Sequence, residues 1–517
     1  MDFRACPETA LLNESNPVSA RLSGLGQELG VTFLAVAAAG AVAFGVAAER
    51  PRPAAAAAFL PLLVVMLGGA FGAVARAPAS LRRIAFVLGL LVASTFVWRT
   101  RTTVALDSNP LDAAALVRVA LVVAAGVAAV ILASHQPLTR ALPASLRLLG
   151  AYVAVAAISG LASPLPLHGS YRAFELGVGF LAAVTAMSLL QERSPAIVVR
   201  FLVRVLGAIL AVVWIESLVV PARAWSPSVS VLPYELQGYL PQYSSNTVGL
   251  LGGLLALYGL AGAGSSRRTS GLALVAGLVT LVASQYRTGI VAFIVVGLLV
   301  LLKRHPARVA VLAVAAVPVV VAFGWGRLSE QSVQVFGKGR PELVGSLDSR
   351  TVYWRAAEPF IHQRLLLGWG LNVESRRVLA SLGDQTTSTI HSTWVEALLG
   401  TGVVGTGLLA LAFISGLRQA VRARGSPLGL AVAAMLAFMF IRSITGTTVE
   451  IFDIGFLLFV ALAFAAAQLE WSAASSPGSP PVSGSSSRSA QSCRFPQRPT
   501  VLGSGRRTRR GLWDRAT

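Results

Sequence analysis

The sequence predicts an all-α, polytopic integral membrane protein, and three observations carry that prediction. Hydrophobic residues make up 55% of the 517 positions and charged residues only 13%, against about 25% charged in soluble domains. Mean hydropathy is +0.70. The apolar residues come in blocks of about 20, the length at which a helix crosses a hydrocarbon core of ~30 Å. A membrane β-barrel would instead show short alternating segments.

In chain order, residues 1–29 hold no short apolar core behind a basic start, so they predict a cytoplasmic tail ahead of an uncleaved first span. Spans are predicted near 30–49, 54–75, 83–98, 113–133, 146–163, 173–190, 197–220, 245–263, 270–285, 288–302, 307–324, 393–415, 428–441 and 449–468. Short and glycine-interrupted stretches put the number of transmembrane helices at about 12–14. Four larger divisions follow the tail: a helical bundle over 30–324, a polar interval over 325–392, C-terminal spans over 393–470, and a Ser/Pro/Gly-rich then basic stretch over 471–517. That last composition cannot bury a core and predicts a disordered basic cytoplasmic tail, with anionic lipid headgroups as its alternative partner.

Formal net charge is +21. The cations sit mostly in short connections, where they set topology, so they predict no nucleic-acid partner. Alternate connections hold Arg76, Arg82 and Arg83, Arg140 and Arg147, Arg193 and Arg200, Arg267 and Arg268, Lys303, Arg304 and Arg308, and Arg418, Arg422 and Arg424. Placing these inside puts both termini in the cytoplasm and 325–392 outside. The two cysteines, Cys6 and Cys493, lie in opposite terminal tails and predict no structural disulfide.

The interval 325–392 is the one long polar stretch, with Arg340, Glu342, Asp348, Arg350, Glu374, Asp384 and others ahead of His391. Val352, Trp354, Phe360 and Trp369 give it apolar anchors, so it predicts a folded, functional loop. Four polar places fall on the predicted outer side. Tyr239–Gly249 leads into a span, and Asn246 there is either its helix cap or a substrate contact. Ser284-Gln-Tyr-Arg287-Thr-Gly289 joins two spans, and Arg287 either snorkels to the interface or binds an anion. Ser349-Arg350-Thr-Val-Tyr-Trp354 opens a helix running towards Pro359, started by Asp348 or Ser349, in which Arg350 is either solvated or functional. His391-Ser-Thr-Trp394-Val-Glu396 opens a span. A histidine there is a cap, a satisfied polar group or a base, and a carboxylate inside a span is costly enough to need a reason.

The order of these pieces resembles the O-antigen ligase and polymerase family of bacterial membrane proteins. The similarity rests on Arg287 in a tight turn, Arg350-x-x-x-Trp354, Leu367-Gly-Trp-Gly370, and His391 opening a helix with Gly402-x-x-Gly405. Tyr243-Ser-Ser-Asn246-Thr resembles the family's Asn-Pro-Asn segment, and the resemblance covers about 230–415. Two departures are visible. Ser392 follows the histidine where the family usually has Asn, and Glu235, Gln237 and Gly238 stand where members often carry an Arg, with Arg223 further upstream.

The resemblance implies a GT-C-like membrane glycosyltransferase that uses no cofactor and no obligatory metal. It implies a polyprenyl-diphosphate-linked glycan as donor, a glycan or lipid hydroxyl as acceptor, and residence in the cell inner (plasma) membrane. His391 would be the base, starting from a histidine pKa of about 6.5, and neighbouring Arg cations would favour its neutral form. Arg287 and a second cation, Arg350 or Arg223, would hold the diphosphate, since a guanidinium fork matches phosphate oxygens. Asn246, Trp354 and Glu396 would contact substrate, with Glu396 as the alternative base. The rival expectation is a transporter or flippase of lipid-linked glycans, with Arg118, Glu175, Arg204 and Glu216 as its intramembrane ionisable groups.

Overall fold

The structure, a computed structural model, describes residues 79–96, 113–135, 142–190, 194–228, 234–306, 350–383 and 389–474. The N-terminal tail 1–29, the predicted spans 30–49, 54–75 and 307–324, residues 325–349 with the expected helix start at Asp348 or Ser349, and residues 475–517 of the C-terminal tail lie outside the described residues. Within them the chain is an all-α membrane protein with one small two-stranded sheet. The helices are α1 (Ala79–Phe96), α2 (Ala113–His135), α3 (Ala144–Leu161), α4 (Pro166–Ser188), α5 (Pro195–Val219) and the short α6 (Pro221–Ala224). Strands β1 (Trp225–Pro227) and β2 (Tyr234–Leu236) pair antiparallel, with Trp225 opposite Leu236. Then come α7 (Ser245–Leu260), α8 (Arg267–Ala283), α9 (Arg287–Arg304), α10 (Arg350–Gln363), α11 (Glu374–Ser381), α12 (Thr393–Arg422), α13 (Pro427–Thr445) and α14 (Ile454–Ala474).

Six of these contain stretches long and apolar enough to cross a membrane: Ala115–Ser134, Ala144–Leu161, Pro195–Val219, Thr393–Arg422, Pro427–Thr445 and Ile454–Ala474. Arg83–Phe96 and Ser245–Leu260 are shorter apolar helices. The last helix is the central post. It is apolar on every side, 83% of its apolar window is buried, and it packs on α3, α4, α5, α12 and α13. A helix without a polar face belongs in the interior. Phe456, Phe459 and Phe464 are fully buried along it, and Phe413 of α12 meets Phe459 with ring centroids 4.5 Å apart. The peripheral helices expose Leu218, Leu272 and Ile294, apolar surface suited to lipid.

Two boundaries differ from the sequence expectation for identifiable reasons. The fourth helix starts at Pro166 rather than near 173, with the proline in its first turn, where a missing N–H costs nothing. The last begins at Ile454 rather than 449, because side chains take the preceding backbone groups. Glu450 accepts from the N–H groups of Thr448 and Val449 at 2.9 and 3.0 Å, and Asp453 caps the helix by accepting from Phe456 N at 2.9 Å. Residues 446–453 therefore form a buried, non-helical turn between two apolar helices.

Candidate functional site

The described part of the polar interval, residues 350–383 and 389–392, is folded onto the bundle. Its α10 and α11 pack on each other and on the first turns of α12. Trp354 Nε1 donates to the carbonyl of Ile390 at 3.2 Å, and the Tyr353 ring lies 6.4 Å from the His391 ring. Arg350 precedes Tyr353 by three positions, so both occupy the helix face that looks towards His391.

His391 stands in a strained turn with φ +56, a region that non-glycine residues seldom occupy. The helix cap is the next residue, Ser392, whose hydroxyl accepts from Val395 N at 3.4 Å. Of the alternatives for His391 the helix cap is thereby excluded, and Ser in the family's usual Asn place keeps the capping chemistry, since both residue types cap well. Glu396 is 1% exposed and accepts from Ile390 N at 3.1 Å and from Asn372 Nδ2 at 3.4 Å. Its carboxylate thus anchors the backbone N–H of Ile390, the residue before His391.

Arg287 is the first residue of α9, directly after a tight turn in which Gln285 has φ +49. The Gln285 amide donates to Tyr234 O at 2.7 Å, tying that turn to β2. Helix α7 comes so close to it that a Cβ on Gly249 would collide with Tyr286 and Ser284. Asn246 lies three positions before Gly249 and so on the same face, half-buried. It does not cap its helix: Ser244 does, accepting from Thr247 N. Tyr243 beside it is buried and shares a 2.8 Å hydrogen bond with Thr95 Oγ1. Burial pushes its hydroxyl well above the ordinary phenol range. Arg223 is set apart on α6, exposed, with its carbonyl accepting from Gln237 Nε2 at 3.1 Å.

The Leu367-Gly-Trp-Gly370 motif has a mechanical role. Helix α12 is broken at Gly402, where φ is +64 and ψ −169, and residues 365–370 lie along the break. Trp369 N and Gly370 N donate to the carbonyls of Leu399 and Gly400, each at 2.9 Å, while Val403 N donates to Leu365 O at 2.8 Å. The freed helix groups are thereby satisfied by protein, the condition for irregular backbone at membrane depth. A Cβ at Gly402 would strike the Leu366 carbonyl, which explains the glycine.

Sequence reasoning did not single out the turn between α13 and α14. Arg442, 3% exposed in the last turn of α13, donates through Nη1 to Thr447 O and to Thr448 Oγ1, the latter at 2.7 Å. Its guanidinium carbon is 5.7 Å from the centre of the Tyr286 ring. Gly446 O accepts from both N and Oγ1 of Thr393, at 3.1 and 3.0 Å. The signal was an Arg and a Glu, Arg442 and Glu450, flanking the gap between two apolar blocks. Against the same turn, Arg118 Nη2 donates to Phe452 O at 2.6 Å, and its Nε lies 2.7 Å from Glu175 Oε1. Glu216 accepts from the N–H groups of Tyr239 and Leu240 at 2.8 and 2.6 Å. These intramembrane charges thus have partners within the protein. Among the described residues, no group of three His, Cys, Asp or Glu side chains is placed to hold a metal ion.

Residues 272–410 match the family model described as O-antigen ligase. That stretch takes in Arg287, Arg350, Trp354, His391 and Glu396, and ends before Arg442. Asn246 and Arg223 precede it. No curated protein gives a match to the chain.

Proposed function

We propose that the chain, whose residues 272–410 match the O-antigen ligase family model and whose described residues include six helices long and apolar enough to cross a membrane, transfers a glycan from a polyprenyl-diphosphate carrier to an acceptor hydroxyl. The place is the outer face of the plasma membrane, and the architecture is of the GT-C kind. The observation that carries this reading is the packing of the family-matched pieces on one another: α10 rests on the His391 turn through Tyr353 and Trp354.

In the proposed step the acceptor oxygen attacks the anomeric carbon and its proton passes to the His391 imidazole. The bond from that carbon to the diphosphate oxygen breaks, and its electron pair leaves with the diphosphate. Arg287 and Arg350 stabilise the charge on the leaving group, aided by the positive end of the α9 dipole. What favours Arg350 over Arg223 as the second cation is its place on the helix face beside His391, whereas Arg223 stands exposed on α6. What favours His391 over Glu396 as base is that both Glu396 oxygens already hold protein donors in a fully buried position.

The test is incubation of the purified protein in detergent with a polyprenyl-diphosphate oligosaccharide and a hydroxyl acceptor. A covalent glycan–acceptor product supports the reading. Movement of the intact donor across a vesicle membrane with no such product would favour transport instead.

A further inference from the structure

Arg287 opens α9 and His391 stands in the turn just before α12, and Arg442, which lies between those turns, is outside the matched stretch. Arg442 meets the immediate neighbour of Arg287 directly and reaches the start of α12 through the 446–448 turn. On one side its guanidinium faces the ring of Tyr286, the residue before Arg287. On the other it holds Thr447 O and Thr448 Oγ1, fixing the turn whose Gly446 carbonyl takes two hydrogen bonds from Thr393, two residues after His391. The brace is tight, since a Cβ on Gly446 would lie 3.2 Å from the Tyr286 hydroxyl and 3.6 Å from the Arg442 guanidinium carbon. It is also anchored from below. Glu450 gathers the N–H groups of Thr448 and Val449, and Tyr152 of α3 donates to the Glu450 carbonyl at 2.8 Å. A buried cation near a helix C-terminus is further favoured by the helix dipole.

We propose that Arg442 is a positioning residue that holds the Arg287 turn and the His391 turn at one fixed separation, through Tyr286 on one side and the 446–448 turn on the other. This rests on the proposed transfer reaction. An arginine suits the task because one fork reaches two acceptors while its planar face meets an aromatic ring. A lysine ammonium keeps the charge and loses that geometry.

The test uses the full chain with Cys6 and Cys493, its two cysteines, replaced by serine. Arg442→Met and Arg442→Lys are compared with Glu470→Gln, which breaks only the Arg422–Glu470 pair at the other end of α12. Misplacement of reacting groups by about 1 Å costs up to ~100-fold in rate. In the transfer assay, kcat should therefore fall by about 10- to 100-fold in Arg442→Met, less in Arg442→Lys, with the donor KM nearly unchanged. Thr393→Val, which removes one bond to Gly446, should add less than its separate effect when combined with Arg442→Met, because both act along one path. Independently of activity, spin labels at Val291 of α9 and Val404 of α12, both exposed, should show a broadened or shifted distance in the Arg442 variants only. If Arg442→Met does not fold, Arg442→Lys and Thr448→Val carry the same comparison. A wild-type distance distribution in these variants overturns the bracing role, whatever the activity. A wild-type protein that transfers nothing defeats the proposed reaction instead, and the distances still decide the brace.

Discussion

At the scale of single residues, the two oxygens of Glu396 explain why a carboxylate is tolerated inside a span: each accepts a buried donor, and one of those donors is the N–H next to His391. Glu396→Ala leaves those donors unpaired, at a cost of about 1–3 kcal/mol for each buried group. The expected result is a lowered thermal midpoint in detergent together with reduced transfer. Glu396→Gln, which keeps one carbonyl acceptor, should fall between Ala and wild type; wild-type stability in Glu396→Ala would show that the anchor does not matter. Arg287 admits a sharper test. Lysine retains its charge but not the fork that matches phosphate oxygens, so Arg287→Lys should be nearly as damaging to transfer as Arg287→Ala. Full activity in Arg287→Lys would leave Arg287 as a general cation. Both residues were legible in the sequence because a charge surrounded by apolar blocks stands out. Arg442 and Glu450 escaped notice because charges at the edges of spans are ordinary, and only the fold shows that these are buried.

At the scale of elements, the broken helix and the segment along it form one unit. Residues 365–370 supply acceptors and donors to α12 where Gly402 interrupts it, about 13 Å from the helix start at 1.5 Å per residue. Backbone in the Gly402 conformation is almost closed to other residues and costs ~1–3 kcal/mol when forced. Gly402→Ala also meets the Leu366 carbonyl. It should lower the thermal midpoint and speed amide exchange at Val403 and Val404; unchanged exchange there would mean that the loop does not hold the break. The glycine pattern was visible in the sequence, but its cause was not, because the partners of Gly402 are more than 30 positions away. The 446–453 turn was hidden for a different reason. Val449, Ile451 and Phe452 continue the apolar run, and hydropathy does not register that Glu450 and Asp453 have captured the backbone. Likewise, with Ser244, Ser245 and Asn246 adjacent, composition alone did not decide which residue caps α7.

At the scale of the whole molecule, composition made the all-α membrane class plain, since no soluble domain sustains so many long apolar blocks. Contacts between distant parts were not legible. The central place of α14 and the linkage of α3, α9, α12 and α13 around the 446–450 turn are properties of the packed bundle. The proposed orientation rests on the alternation of cationic connections and has a direct check. Ser381 ends α11 and Ser426 caps α13, and both are exposed. Cysteine at Ser381 should react with an impermeant thiol reagent in whole cells, and cysteine at Ser426 should not; the reverse pattern would move the site away from the donor's side. The most direct measurement is transfer by purified wild-type protein and by His391→Ala, with donor binding measured in parallel. Removing a general base costs about 10²- to 10⁴-fold in rate. The expected result is product with wild type, a loss of that size in His391→Ala, and unchanged donor binding. Undiminished transfer by His391→Ala would contradict the assignment of His391 as the base at the centre of this site.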